Sequence, residues 1–169
     1  MALIVEDGTG LTNSECYCDV AFADLYHSNR GNTLWATLST NEKEQAIRRS
    51  ADFMIEFYRS AWQGVRVLTT QAMDWPRNNV VIDQITTVAS NIVPLEVKQA
   101  NAALSFTAAQ GELLPDQSQG VLRKKVDVIE IEYDINSSQT PRYKAIDALL
   151  APYLLGISAT SANIKMVRI

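Results

Sequence analysis

The stretch STNEKEQAIRRSADFMIEFYRS, residues 39–60, constrains this chain more than any other. Ser39 with Glu42 three positions on is a capping box, in which each side chain satisfies a backbone N–H of the other residue. Behind it, Ala46, Ile47, Ala51, Met54, Ile55 and Tyr58 recur at helical spacing as one apolar stripe. Phe53 and Phe57 form a second stripe beside the first, and Glu44–Arg48 adds an i,i+4 ion pair. Two apolar stripes on one helix call for more than one packing partner. The spacing therefore assigns Phe53, Phe57 and Tyr58 to a contact with a neighbouring subunit.

Other helices follow from similar punctuation. Asp19 is an N-cap for VAFADLYHSNRG, with Val20, Ala23, Tyr26 and His27 on one face and Gly31 as the stop. His27 falls in the last turn, where a cation suits the helix dipole, and reads as a surface or capping residue. Pro94 opens PLEVKQANAALSFTAAQ at the first helical position, with Val97, Ala100, Leu104 and Ala108 on one face and Gly111 at the end. Small residues dominate that face, so another helix can approach closely. Thr140, with Pro141 after it, caps a last helix carrying Tyr143, Ile146, Leu149, Leu150, Tyr153 and Leu154. Pro152 must bend or restart it, because proline lacks the N–H that the helix needs.

Between the helices, VVIDQITTV is β-prone, and VLRKKVDVIEIEYD is a strand pair or one long bent strand. Its Ile129, Ile131 and Tyr133 alternate with Glu130, Glu132 and Asp134, the period of a half-buried strand. The expected fold is mainly α: a small bundle of about four helices, with a short β-hairpin or bent strand and extended N- and C-terminal arms. Residues 1–16 are read as an N-terminal arm, 17–156 as the helical domain and 157–169 as a C-terminal arm.

Composition excludes several functions. The net charge of −4 disfavours a protein that grips DNA regardless of sequence, since such binding neutralises phosphates with Lys and Arg. The longest apolar run is far short of a membrane span, and no signal peptide opens the chain, so a soluble protein made in a cytoplasm is expected. Cys16 and Cys18 are too close for an unstrained disulfide in an extended segment. With one His in the chain they make no zinc site, so neither a metal nor a cofactor is expected. Glycine-rich phosphate loops, nucleophile elbows and zinc-protease motifs are absent, and His27 lacks partners for a triad. No catalytic residue can be named, and the chain does not read as an enzyme.

Three features remain for a binding role. Trp75-Pro76-Arg77 stands out as a structural motif: Pro76 pushes Trp75 toward an extended backbone, and Arg77 either carries catalysis or binds an anion, or packs and makes a structural hydrogen bond, which is the preferred reading. Arg123, Lys124 and Lys125 either touch DNA or a partner, or form a solvated edge that deters strand pairing. The chain ends in GISATSANIKMVRI, a small polar spacer followed by Asn163, Ile164, Lys165, Met166, Val167, Arg168 and Ile169. Neither face of that strand-like end is cleanly polar. It can fold back on its own domain or complete a sheet of a partner, and the second is the preferred reading. Residues 1–29 hold five acids and no Lys or Arg, whereas no acid follows Asp147.

Several stretches together carry a resemblance: YCDVAFADLYHSNRGNTLWATLSTNEKEQAIRRSADFM, AMDWPRNNV, IVPLEVKQANAALSF, GELLPD, VIEIEY and PRYKAIDALLAPYL. In order and spacing, over residues 17–156, they resemble the small neck proteins of tailed bacteriophages. These are head-tail connector or adaptor proteins, often labelled DnaT-like single-stranded-DNA-binding. Arg30-Gly31-Asn32, Trp75-Pro76-Arg77 and Ala148–Tyr153 are the most telling pieces; residues 1–16 have no counterpart. The resemblance implies a mostly helical subunit in a twelve-fold ring beneath the portal protein, in the neck of the virion. Such a ring extends the channel through which genomic DNA passes without specific binding, and it docks the tail or a stopper protein. It also implies that residues 163–169 anchor the subunit to the portal. Two rivals stand beside it. Single-stranded-DNA binding would use Trp35, Trp62 and Trp75 to stack bases. A small regulatory or scaffolding domain would need only a monomer with its tail folded back.

Overall fold

The computed structural model describes residues 3–115, 123–126, 129–132 and 143–155. The elements in chain order are α1 (Val20–Ser28), α2 (Thr33–Ala36), α3 (Thr40–Tyr58), β1 (Val65–Arg66), β2 (Arg77–Asn78), β3 (Val81–Ile82), β4 (Thr86–Thr87), α4 (Leu95–Gln110), β5 (Arg123–Val126), β6 (Ile129–Glu132) and α5 (Lys144–Leu150), and a 3-10 turn, Ala151–Tyr153, follows. The strands pair as three small antiparallel hairpins, β1–β2, β3–β4 and β5–β6, and the chain is mainly α.

Helix α3 begins at its capping box. The Ser39 hydroxyl accepts from the Glu42 N–H at 3.4 Å, and the Glu42 carboxylate accepts from the Ser39 N–H at 2.8 Å. Asp19 caps α1 by accepting from the Phe22 N–H at 2.7 Å. Helix α4 lies along α3, with α1 and α5 packed on it. The α4 face of Val97, Ala100, Leu104 and Ala108 is buried as the spacing predicts. Helix α2, a single turn, had no clear signal in the sequence. Helix α5 starts at Lys144 with Tyr143 at its cap; Thr140 and Pro141 lie outside the described residues. Pro152 acts as expected, since the α-helix gives way there to the 3-10 turn.

Asn101 is the polar centre of the bundle and is fully buried. Its carbonyl oxygen accepts from the Tyr17 N–H at 3.0 Å, and its amide donates to the Ile47 carbonyl at 3.2 Å and to the Ser50 hydroxyl. The Ser50 hydroxyl in turn lies 2.8 Å from the Ile47 carbonyl and 3.0 Å from the backbone carbonyl of Asn101, distinct from the side-chain oxygen that holds Tyr17. One side chain thus joins α3, α4 and the strand-like segment that enters the core at residues 16–18.

Two expectations are corrected here. Residues 3–16 are no free arm. Val5 bridges Cys16 in parallel, and the Glu6 N–H donates to the Cys16 carbonyl at 2.9 Å. The buried Glu6 carboxylate accepts from the N–H groups of Gly8, Gly10 and Leu11 and from the Ser14 hydroxyl, at 2.9–3.0 Å. A charge taken out of water needs such partners, and this loop is folded around one. Gly8 is required there: its φ is +104°, and a Cβ would lie 2.3 Å from the Asn91 carbonyl oxygen.

The second correction concerns Phe53 and Tyr58, which the sequence assigned to a neighbouring subunit. Both are buried by the chain itself, at 3% and 1% exposure. Phe53 stacks on the half-buried Phe57 at 5.3 Å and meets Tyr143 edge-on at 5.3 Å, while the Tyr58 hydroxyl donates to Asp147 at 2.6 Å. The partner of the second stripe is the entry to α5. An apolar stripe records that something covers it, and the identity of the cover depends on a contact nearly ninety positions away in the chain.

Replacing Asn101 by Ala leaves the Tyr17 N–H without a partner in a dry core, while the Ile47 carbonyl keeps the Ser50 hydroxyl. Asn101→Ala is expected to lower the unfolding free energy by about 2 kcal/mol, within the roughly 1–3 kcal/mol for one orphaned buried group. Urea denaturation followed by circular dichroism measures it.

Candidate functional site

The Trp75-Pro76-Arg77 segment sits at the junction of the helical bundle and the loops of residues 60–90. Trp75 is fully buried, edge-to-face with Trp62 at 5.7 Å and with Tyr153 at 5.6 Å, and its bond to Pro76 is cis. Arg77 is 7% exposed. Its guanidinium donates through Nε to the Gln63 carbonyl at 2.7 Å and through its two terminal nitrogens to the carbonyls of Asp74 at 3.1 Å and Gly64 at 2.8 Å. Burial pushes the Arg77 pKa down, and nearby Asp74 works against that shift. Each nitrogen of this fork donates to a backbone carbonyl, so the buried side chain ties the loops together. The backbone N–H of Asp74 donates to the Tyr17 hydroxyl at 3.0 Å, and its carboxylate accepts from Arg59 at 2.9 Å. Gly64, with φ +65°, admits the close approach: a Cβ there would lie 2.0 Å from the Asn78 carbonyl oxygen.

His27 departs from the sequence expectation of a surface residue. It is 1% exposed and faces α4. Its Nε2 lies 2.9 Å from the Ala102 carbonyl, and its Nδ1 lies 2.9 Å from the Asn32 side-chain amide. A carbonyl can only accept, so Nε2 carries the proton and Nδ1 accepts from Asn32, which defines a neutral imidazole. Desolvation, the largest influence, holds its pKa below the usual 6.5. The ring also packs on Trp35 at 4.5 Å. His27 thereby clamps the Arg30-Gly31-Asn32 turn, in which Gly31 adopts φ +70°. Above Trp35 lies a half-open pocket of about 350 Å³. Its polar groups already serve one another, since Asp24 accepts from the Trp35 indole at 2.7 Å and from Lys43 at 2.9 Å.

The three tryptophans proposed for base stacking are buried, at 2% for Trp35 and Trp62 and 0% for Trp75. Among the described residues the large exposed apolar side chains are aliphatic: Leu25, Leu34, Val65, Ile85, Leu95 and Leu155 are the most open. The Arg123-Lys124-Lys125 run lies on β5, and the β5–β6 register sets Arg123 opposite Glu132 and Lys125 opposite Glu130. The middle base, Lys124, stands opposite Ile131 in the same register. Residues 163–169 lie outside the described residues. Cys16 and Cys18 are fully buried, and burial pushes the Cys16 thiol up to about 12 and the Cys18 thiol higher, which keeps both protonated. Among the described residues no group of three or more His, Cys, Asp or Glu is placed to hold a metal ion. Asn101 and Glu6, the two most connected polar side chains, escaped the sequence reading. A lone Asn inside an Ala-rich helical face was the one available hint of the first.

The geometry is that of an acidic helical domain with a sealed aromatic core and an aliphatic surface. Over residues 1–169 the chain matches the family model described as "Putative DnaT-like ssDNA binding protein". The chain belongs to that family. No curated protein and no solved structure matches it. Family membership agrees with the label attached to the proteins that the sequence resembles, and it carries no statement about a phage neck.

A neutral buried His27 gives stability a definite pH slope. The unfolded state takes up a proton near pH 6.5 and the folded state resists it, so stability is full above that value and falls as pH drops below it. Denaturation midpoints at pH 7.5 and pH 5.5 are expected to decline for the native chain, and His27→Gln is expected to flatten the decline while lowering both values.

Proposed function

We propose that this protein is a structural subunit without catalytic activity, a head-tail connector of a tailed phage. In this reading copies of the chain form a ring under the portal protein, in the neck of the virion. The ring extends the DNA channel and docks the tail or a stopper protein. One observation carries the proposal: the described surface exposes aliphatic side chains and no strongly exposed aromatic, while the chain's net charge is −4. Exposed aliphatic groups suit contacts with other proteins. An acidic channel wall suits DNA that must slide, because it neutralises few phosphates. Residues 163–169 would be the portal-binding arm, and repetition around a ring would make many modest attachments strong together.

A second reading, single-stranded-DNA binding, is favoured by the family description and is backed by it more directly than the connector is. Such binding requires bases stacked on aromatic rings and a basic groove along the backbone. Both would have to come from residues beyond those described, or from surfaces created by assembly.

Light scattering on the full-length chain mixed with a portal ring separates these readings. The connector reading expects a ring-sized complex that is lost when the chain is truncated after Gly156. Single-stranded-DNA binding expects no such complex, and instead a salt-dependent anisotropy rise with a labelled oligothymidylate. Tryptophan emission should stay unchanged on adding that oligonucleotide if the three indoles remain buried.

A further inference from the structure

Between α3 and the end of α4 lies a groove of about 290 Å³ with an apolar floor and an acidic rim. Phe53, Leu113 and Leu114 line its floor, and Asp52, Glu56 and Glu112 its rim, with Arg49 at the edge. Asp52 and Glu56 are an i,i+4 pair of like charge on α3, an arrangement that destabilises a helix unless a cation sits beside it. Among the described residues none of the ion pairs engages Asp52, Glu56 or Glu112. The Asp52 carboxyl is held above its ordinary pKa by burial first and by Glu56 second, the state of an acid without a counter-ion. The groove therefore suits a short segment that is both apolar and basic.

The sequence offers two such segments. The first, on β5, is already in register with a paired strand, Arg123 opposite Glu132 and Lys125 opposite Glu130. Lys165 and Arg168 lie in IKMVRI, where no acid follows Asp147. We propose that residues 164–169 seat in this groove of their own chain, with Ile164, Met166 and Val167 over Phe53 and Leu113 and the two bases at Asp52 and Glu56. Chain length allows it. The Leu155 N–H donates to the Ala61 carbonyl at 2.6 Å, which pins the chain just beyond the end of α3. Residues 156–163 can then span up to ~26 Å at ~3.3 Å each. Asp52 lies only ~9 Å back along α3 from Tyr58 at ~1.5 Å per residue. The inference is independent of the connector reading: it gives the tail a resting place in the free subunit, from which any partner that uses the tail must displace it.

The test is NMR on the isotope-labelled full-length chain. Slow-tumbling amides at residues 164–169 and contacts from the Met166 methyl to Phe53 and Leu113 are expected. Asp52→Lys with Glu56→Lys should free those amides and speed tryptic cleavage after Lys165 roughly fivefold, the loss of two exposed ion pairs. Lys165→Glu with Arg168→Glu should free them with the body untouched, and combining both pairs of reversals should restore the ordered tail. Mobile tail amides in the native chain would overturn the proposal. So would contacts that form only between labelled and unlabelled copies in a mixed sample, because the groove would then hold a second copy's tail.

Discussion

The amide of Asn101 is the contact on which the rest of the structure leans. It is the buried polar side chain that bonds both to α3 and to the segment before α1, and every group it touches would lack that partner without it. Helix α4 is rich in alanine, so it packs closely on α3 but has little side-chain bulk with which to fix the register of the two helices. A hydrogen bond that fits in one position supplies what small residues cannot. By holding the Tyr17 N–H, the same amide draws the segment before α1 into the core, where Cys16, Tyr17 and Cys18 are sealed. The Tyr17 hydroxyl then reaches Asp74, so the order imposed at Asn101 extends to the loop that carries Trp75 and Arg77.

Much of the helical layout was legible in the sequence because its signals are local. Ser39 and Glu42 sit three residues apart, Asp19 abuts the helix that it caps, and Gly111 directly follows α4. Arg77 is buried among chain reversals, and its guanidinium meets the carbonyls of Gln63, Gly64 and Asp74 there. What could not be read was which surface covers which. His27 at the last turn of α1 looks the same in sequence whether it faces water or Ala102, 75 positions away. Glu6, in a stretch with no Lys or Arg, suggests a solvated acid; only the folded loop brings four donors to it. Phe53 and Tyr58 failed in the same way, since periodicity gives a direction around the helix and no address for the partner.

The tryptophans illustrate how the two functional readings diverge. A base-stacking protein leaves its rings open and pays in exposed apolar area. Here the rings form a chain of contacts from Tyr58 through Trp62 and Trp75 to Tyr153, the first tilted and the other two edge-on, which joins α3, the loops and the last helical turn. Among the described residues the most exposed apolar groups are branched aliphatics spread over α1, α2, β1, the start of α4, Leu155 and the β3–β4 turn, where Ile85 is 86% exposed.

The Glu6 loop has a further meaning. Three backbone N–H groups converging on one carboxylate, two of them from glycines, resemble the kind of concavity that in other proteins receives a phosphate. This chain fills that concavity with its own carboxylate. The ready-made anion receptor of residues 8–11 is self-occupied, and a passing phosphodiester meets a loop whose positive ends are already turned inward.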